Sequence, residues 1–151
     1  MSQVESSADT IQLGAVSIRY VHADAASPYS LLEWTAPAGT PSPPVHIHPH
    51  TDEGFYVAHG TYGFVMDNER IEAAAGSHVP VPRGHPHTFW NVGRDRATCL
   101  IVLSPPGFEN YFRELATGLA RADSDEAAMA VRRRLSDIYD IEVVGPGVDD
   151  S

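Results

Sequence analysis

Residues 39–60 read GTPSPPVHIHPHTDEGFYVAHG and carry the most informative pattern of the chain. His46 and His48 stand two positions apart, a spacing that places both imidazoles on the same face of a β-strand. Glu53 follows after a short turn, at the start of a second β-type run. A returning strand can therefore bring the Glu53 carboxylate opposite the two imidazoles. Two imidazoles and one carboxylate from neighbouring strands form a facial metal site with open coordination positions.

A second stretch, residues 76–91, reads GSHVPVPRGHPHTFWN and supplies a further histidine. Its Pro82-Arg83-Gly84 segment is a turn signal, after which His87 begins another strand. His87 is thus a candidate fourth metal ligand from a distant part of the chain. A single His-x-His pair is weak evidence for a metal site, because histidines also fall close together by chance. Two such blocks at these intervals are strong evidence.

Other residues near the two blocks are candidates for a substrate pocket and for proton transfer. Phe55 is in phase with Glu53 and Phe89 with His87, so both rings either line an apolar substrate cavity or belong to the core. His50, in the turn before Glu53, could join or replace Glu53 at the metal. His50 or His59 could also act as a general base, because an imidazole titrates near neutral pH. The alternative interpretation is that both are surface histidines that bind no metal.

Nine short β-type runs follow one another between residues 13 and 104, separated by Gly, Pro, Asn and Asp: VSIRYV, SLLEWTA, VHIH, GFYVAH, YGFVM, RIEAA, HVPVP, HTFWNV and TCLIVL. Many short strands at such spacing predict an all-β sandwich or barrel. Asp67-Asn68 is the expected turn of one hairpin. No internal repeat is found, so we expect one barrel, preceded by a flexible lead-in over residues 1–12.

The pattern changes after Pro105, and residues 105–151 are expected to form helices and a tail packed on the barrel. Apolar residues recur there at helical spacing, at Phe108, Phe112, Leu115 and Leu119. A second helix is expected to follow, with Asp123 as its N-cap and Glu126 three positions later. The tail around Gly145-Pro146-Gly147 should be irregular.

A run of three arginines at 132–134 ends the second predicted helix. It could mark an anion site, but basic residues near a helix C-terminus also oppose the helix dipole favourably. We interpret the run as a solvated face.

Composition excludes several classes of protein. The chain has 151 residues, of which 42% are hydrophobic, and a formal net charge of −10, so a single globular domain is expected and a nucleic-acid partner is not. Cys99 is the single cysteine and lies in an apolar run, which predicts a buried, inert thiol. The polar N-terminus has no signal-peptide pattern, and no apolar run approaches the ~20 residues that span a bilayer. We therefore expect a soluble, cytoplasmic protein without a membrane partner.

The two blocks resemble the two sequence motifs of the cupin superfamily. The first motif is matched by Gly39, His46, His48, Glu53 and Gly60, and the second by Gly76, Pro82, Gly84, His87 and Asn91. All four positions that bind metal in the family are present, and the resemblance covers roughly residues 28–104. It implies a cupin jelly-roll β-barrel of a single-domain cupin, with one divalent metal ion held by His46, His48, Glu53 and His87. It also implies a homodimer.

The phrases DEGFYVAHG and PRGHPHTFWNVG are most similar to quercetinase-like cupins, and similar single cupins also occur as aromatic polyketide cyclases. The resemblance therefore implies a flat aromatic or polyketide-type small molecule as substrate. Two reactions fit the same site. In ring closure, a Lewis-acid metal, for which zinc is favoured, works with Glu53 or a neighbouring histidine that moves protons. In dioxygenation, iron, manganese, nickel, copper or cobalt would support ring cleavage with O2.

The additional histidines around the motifs favour ring closure and the antibiotic-type biosynthetic role of such cyclases. A small-molecule-binding cupin without catalysis is the third interpretation, because some cupins keep the barrel and lack activity.

Overall fold

Eleven strands form two antiparallel sheets in the computed structural model, which describes residues 1–3 and 9–148. The strands are numbered along the chain. One sheet contains, in spatial order, β1 (Thr10–Leu13), β2 (Val16–His22), β3 (Ser30–Ala36), β10 (Ala97–Ser104), β5 (Asp52–His59) and β8 (His78–Val81). The other contains β11 (Glu142–Gly145), β4 (Val45–Ile47), β9 (His87–Asn91), β6 (Thr61–Met66) and β7 (Glu69–Ala74). From β3 to β10 the chain passes repeatedly between the two sheets, which is the jelly-roll arrangement expected.

The core lies between the two sheets because alternate side chains of each strand point inward. Along β3, Leu32 and Trp34 are buried, whereas the residues between them are partly exposed. Phe64 of β6 and Phe89 of β9 meet them from the opposite sheet. Cys99 of β10 is wholly buried in this core, as its apolar surroundings in the sequence predicted.

The nine predicted runs correspond to β2 through β10, and the remaining two strands were not predicted. The first of these, β1, begins within the segment assigned to the flexible lead-in, of which residues 4–8 lie outside the described part. The second, β11, lies in the tail that was expected to be irregular. β1 pairs with β2 and has only a short alternation, Thr10-Ile11-Gln12-Leu13, whereas β11 pairs with β4 and has no alternating pattern.

The hairpin between β6 and β7 turns at Asp67-Asn68, as predicted. Asp67 has φ 52° and Asn68 has φ 67°, which are the positive values that a tight two-residue hairpin of the mirror-image type requires. Asn and Asp tolerate this backbone region better than other residues with a side chain do.

Two helices follow the barrel, α1 (Glu109–Arg121) and α2 (Asp125–Ser136). Ser124, not Asp123, caps α2, because the Ser124 hydroxyl accepts a hydrogen bond from the backbone N–H of Ala127 at 3.1 Å. Neither of these described helices is long and apolar enough to cross a membrane.

Aromatic and polar contacts attach α1 to the barrel. Phe112 lies edge-on to Trp34 with ring centroids 5.4 Å apart, and the Tyr20 hydroxyl donates to the backbone oxygen of Glu109 at 2.6 Å. The apolar face of α1 therefore packs on the barrel, as its helical spacing predicted.

A test of the barrel packing compares two glycines with positive φ. A Cβ on Gly60 (φ +77°) would lie 2.6 Å from the Cβ of Ala97, whereas a Cβ on Gly76 (φ +92°) would meet nothing within 4 Å. We expect Gly76→Ala to lower the free energy of unfolding by about 1 kcal/mol through backbone strain alone. In Gly60→Ala the free energy of unfolding should fall by a further ~1–3 kcal/mol, because the added methyl group would overpack against Ala97. Equal shifts of the urea midpoint in the two variants would contradict the close approach at Ala97.

Candidate metal centre

Three histidines and one glutamate meet at one end of the barrel. His46 lies in β4 directly opposite His87 of β9, and His48 follows immediately after β4. Glu53 lies near the start of β5 in the other sheet and faces the three imidazoles across the barrel. His46 and His48, two residues apart, thus point into the same group, as their spacing predicted. His87 of the second motif joins them from the neighbouring strand β9.

The four side chains form one compact, buried group. Their ligand atoms all lie within 4.8 Å of one another, and the residues are 7%, 2%, 7% and 1% exposed for His46, His48, Glu53 and His87. The Oε2 atom of Glu53 is 2.9 Å from Nε2 of His87 and 3.3 Å from Nε2 of His48. Such spacings match those between ligand atoms that surround a single ion.

The other ring nitrogen of each histidine is held by a backbone carbonyl. Nδ1 of His46 lies 2.8 Å from the oxygen of Pro44, Nδ1 of His48 lies 2.7 Å from that of Asp140, and Nδ1 of His87 lies 2.9 Å from that of His85. A carbonyl only accepts, so each Nδ1 carries the hydrogen and donates it. The lone pair of each Nε2 is therefore directed toward the centre of the group, as in metal-ligating histidines.

The neutral imidazole of His46 and the buried carboxylate of Glu53 together favour a cation at the centre of the group. Burial, together with the neighbouring His87 and His48, lowers the pKa of His46 to about 3, so His46 is neutral at physiological pH. Burial acts to raise the pKa of Glu53, but its contacts with His48 and His87 outweigh burial and hold that pKa below its usual range. A buried carboxylate this close to imidazole lone pairs is stable only with protons or a cation among them.

A divalent metal ion fits this group. The Nε2 atom of His48 is buried and makes no well-aligned hydrogen bond within the described residues, although it lies 3.3 Å from Glu53. Three imidazole nitrogens and one carboxylate oxygen are a donor set that suits zinc, iron, manganese, nickel, copper or cobalt. His46, His48, Glu53 and His87 are therefore positioned to bind one metal ion.

A cavity of about 290 Å³ opens onto the metal ligands. His46, His48 and Glu53 line it, whereas its remaining wall is mostly apolar and comes from the barrel, from α1, and from Arg132 and the segment that follows α2. Five aromatic residues contribute to that wall: Trp34, Phe89, Phe108, Tyr111 and Phe112. The Phe108 ring lies edge-on to His48, with centroids 4.3 Å apart. The barrel and the segment that follows it together thus enclose a largely apolar space beside the candidate metal ligands.

The two predicted pocket phenylalanines lie in different surroundings. Phe89 lines the cavity. Phe55 is wholly buried and packs against Phe89 and Phe64 with centroids 4.8 Å and 5.1 Å apart, so the structure places it in the core between the sheets and not in the cavity wall.

The structure brings neither His50 nor His59 into the metal-ligand group. His50 is exposed, and the polar contact of its backbone N–H is with the Asp140 carboxylate at 2.9 Å. His59 is exposed at the far end of β5, six positions and therefore about 20 Å from Glu53 along the strand. Neither lines the cavity. The sequence left open whether His50 joins or replaces Glu53 at the metal. The structure gathers Glu53 with the three histidines and leaves His50 outside the group.

Asp140 contacts the candidate ligand group and was not among the residues that the sequence indicated. Its backbone oxygen accepts from His48, and its carboxylate accepts from the N–H of His50 and from the hydroxyl of Thr51 at 2.7 Å. The segment that follows pairs as β11 with β4, which carries His46. Asp140 lies 92 positions after His48, and no local signal in the sequence connects the two.

The ligand assignment can be tested by removing single histidines. We expect His48→Ala to lose stoichiometric metal while the barrel remains folded, because the core between the sheets does not include this side chain. His50→Ala and His59→Ala are matched controls that should keep the metal. Elemental analysis and circular dichroism would measure both properties. Stoichiometric metal in His48→Ala would refute the assignment, and metal loss in His50→Ala with a tolerated Glu53→Ala would support a four-histidine site.

The role of Asp140 can be tested separately. Asp140→Ala removes the carboxylate that holds the His50–Thr51 turn and so loosens the carbonyl that orients His48. Loss of such a supporting contact should weaken metal affinity about tenfold. Asp52→Ala is the control, because Asp52 is an exposed carboxylate of the same turn that pairs with Arg83. Titration against a competing chelator measures the effect, and equal affinities in the two variants would show that Asp140 does not support the site.

Comparison with known proteins agrees with this geometry. Residues 32–103 match the family model described as a cupin domain. A segment of 56 residues is 43% identical to a protein named oxidoreductase iacF from Pestalotiopsis fici, and the match covers 35% of this chain and 26% of that protein. The chain therefore corresponds to only about a quarter of that relative's length.

Two solved structures share the architecture. KdgF from a Halomonas species superposes with a TM-score of 0.60 at 16% identity, over 68% of this chain and 90% of that one. The polyketide cyclase RemF from Streptomyces resistomycificus superposes with a TM-score of 0.56 at 24% identity, over 70% of this chain and 82% of that one. At these identities the likeness concerns the fold. Residues 32–103 therefore form a cupin domain, folded as a jelly-roll barrel and followed by two helices.

Proposed function

We propose that this chain is a metal-dependent enzyme that closes a ring in an aromatic or polyketide-type small molecule. The observation that carries the proposal is the buried group of three histidines and one glutamate at the end of a cavity of about 290 Å³ with aromatic walls. A cavity of this kind accepts a planar apolar molecule and presents its oxygen atoms to the metal ligands.

The metal ion supplies Lewis acidity when it is bound, and zinc suits that role because ring closure of a poly-β-ketone needs no redox change. His46, His48, Glu53 and His87 would hold the ion, with each imidazole oriented by its carbonyl partner. The aromatic wall, with Phe89 and Phe108, orients the substrate chain and excludes water from the site.

Proton transfer is assigned to Glu53. Of the three residues that the sequence offered as general bases, Glu53 lines the cavity, whereas His50 and His59 do not. The hydrogen between two carbonyl groups of a β-ketone is already acidic, so even a carboxylate of lowered pKa can remove it. During an aldol-type closure Glu53 then gives this proton to the oxygen of the attacked carbonyl group, which becomes the new hydroxyl. Glu53 is thereby a carboxylate again.

The experiment combines elemental analysis with an assay under argon. The protein is purified without added metal or chelator, and a synthetic poly-β-ketone thioester is followed by chromatography. We expect about one equivalent of zinc and ring closure without oxygen. Glu53→Gln should lower the rate at least ~100-fold, and Asp52→Asn, its exposed neighbour, should not. A strict oxygen requirement, or full activity in Glu53→Gln, would contradict the proposal.

A quercetinase-like dioxygenase is the second candidate, and the similarity to a protein named as an oxidoreductase favours it. The same four ligands would then hold iron, manganese, nickel, copper or cobalt. Oxygen uptake with quercetin, in an amount equal to the flavonol consumed, would establish this reaction in place of ring closure. Elemental analysis separates the two candidates before any substrate is known.

A further inference from the structure

The three arginines at 132–134 differ in exposure, because α2 packs with one face against α1. Val131 of α2 contacts Gly118 of α1, and Leu135 is wholly buried. Arg132 stands three positions before Leu135, on the same inner face of the helix, and it is half-buried. Arg133 and Arg134 are exposed, as the interpretation of a solvated face predicted. Arg132 departs from that interpretation, because it lines the cavity that opens onto the metal ligands.

An aromatic wall connects Arg132 with the metal ligands. Burial raises the pKa of the Tyr111 hydroxyl, and the Arg132 guanidinium opposes that rise, so the two groups are neighbours on the cavity wall. The Tyr111 ring stacks on Phe108 with centroids 4.9 Å apart and planes inclined at 20°, and Phe108 lies edge-on to His48. The guanidinium carries five N–H donors, more than a contact with the Tyr111 hydroxyl would use, so donors remain for a ligand.

The cavity lining contains charged groups of both signs, and two stacked rings, Tyr111 and Phe108, stand between Arg132 and His48. Arg132 is the one basic residue among the described residues that line the cavity, and Glu53 is the one carboxylate. Glu53 is turned toward His48 and His87. Within the described part of the chain no carboxylate forms an ion pair with Arg132, whereas Arg19, Arg83 and Arg113 each have such a partner. In a chain of net charge −10, this leaves a cation directed at the ligand space.

We propose that Arg132 selects ligands that carry a carboxylate at the end remote from the metal ligands. The ligand class is a planar aromatic or polyketide-type acid, with oxygen atoms toward His46, His48 and Glu53 and its carboxylate against the guanidinium of Arg132. The inference rests on the proposed function, because it requires that a small molecule occupies this cavity beside the metal. Arginine suits the task because its planar guanidinium binds a carboxylate through two parallel hydrogen bonds.

The test uses two probes that differ only in the remote group. 2,3-Dihydroxynaphthalene offers two oxygens to the metal, and 6,7-dihydroxynaphthalene-2-carboxylic acid adds a carboxylate at the opposite end. Dissociation constants are measured by calorimetry on protein of equal metal content. We expect the wild-type protein to bind the acid about tenfold more tightly than the neutral probe. Arg132→Gln should reduce that preference to less than ~twofold. Arg133→Gln, an exposed neighbour on the same helix, should keep the full preference.

The outcomes separate this inference from the proposed function. Metal-dependent binding of both probes without a preference for the acid, or a preference that survives Arg132→Gln, overturns the role of Arg132 and leaves the proposed site intact. Binding of neither probe overturns both. A measurement that needs no variant compares the acid with its carboxamide on the wild-type protein. Equal affinities there also overturn the inference, whereas tighter binding of the acid supports it.

Discussion

The hydrogen bonds from three imidazole Nδ1 atoms to backbone carbonyls are the constraint on which the rest of the site depends. They determine which nitrogen of each ring carries the hydrogen and so direct three lone pairs to one point. Two of the carbonyls belong to Pro44 and His85, each two positions before the histidine it holds. The third belongs to Asp140, near the end of the chain. The barrel alone therefore supplies only part of the support.

The segment after the barrel completes the site in four ways. The helix α1 closes one side of the cavity with Phe108 and Tyr111, and α2 adds Arg132. The turn that follows α2 supplies the carbonyl for His48, and β11 then pairs with the strand that carries His46. The metal ligands and the cavity wall are thus joined by the same polypeptide segment. A change in the packing of the helices would alter both the metal ligands and the space beside them.

The burial of the charged group has an energetic consequence. A carboxylate that is 7% exposed among imidazoles loses most of its hydration, which destabilises the fold unless a cation or protons offset the loss. Metal binding would therefore stabilise the folded protein as well as prepare the site. The same geometry admits Lewis-acid and redox chemistry, because three imidazoles and a carboxylate accept several metals. The reaction depends on the ion and on what the cavity admits.

By itself the sequence predicted strands β2 to β10 and the four candidate metal ligands, because both follow from sequence motifs. Alternation and turn residues indicate strands, and the spacing of His46 and His48 places two imidazoles on one face. Only the tertiary structure decided what depends on position along a strand or on distant contacts. Phe55 points to the same face of β5 as Glu53, but it lies about 7 Å further along the strand, in the core. Asp140 and Arg132 lie far from the two motifs in the sequence and reach the site only when the chain folds back. No local sequence pattern indicates which distant segment will pack there.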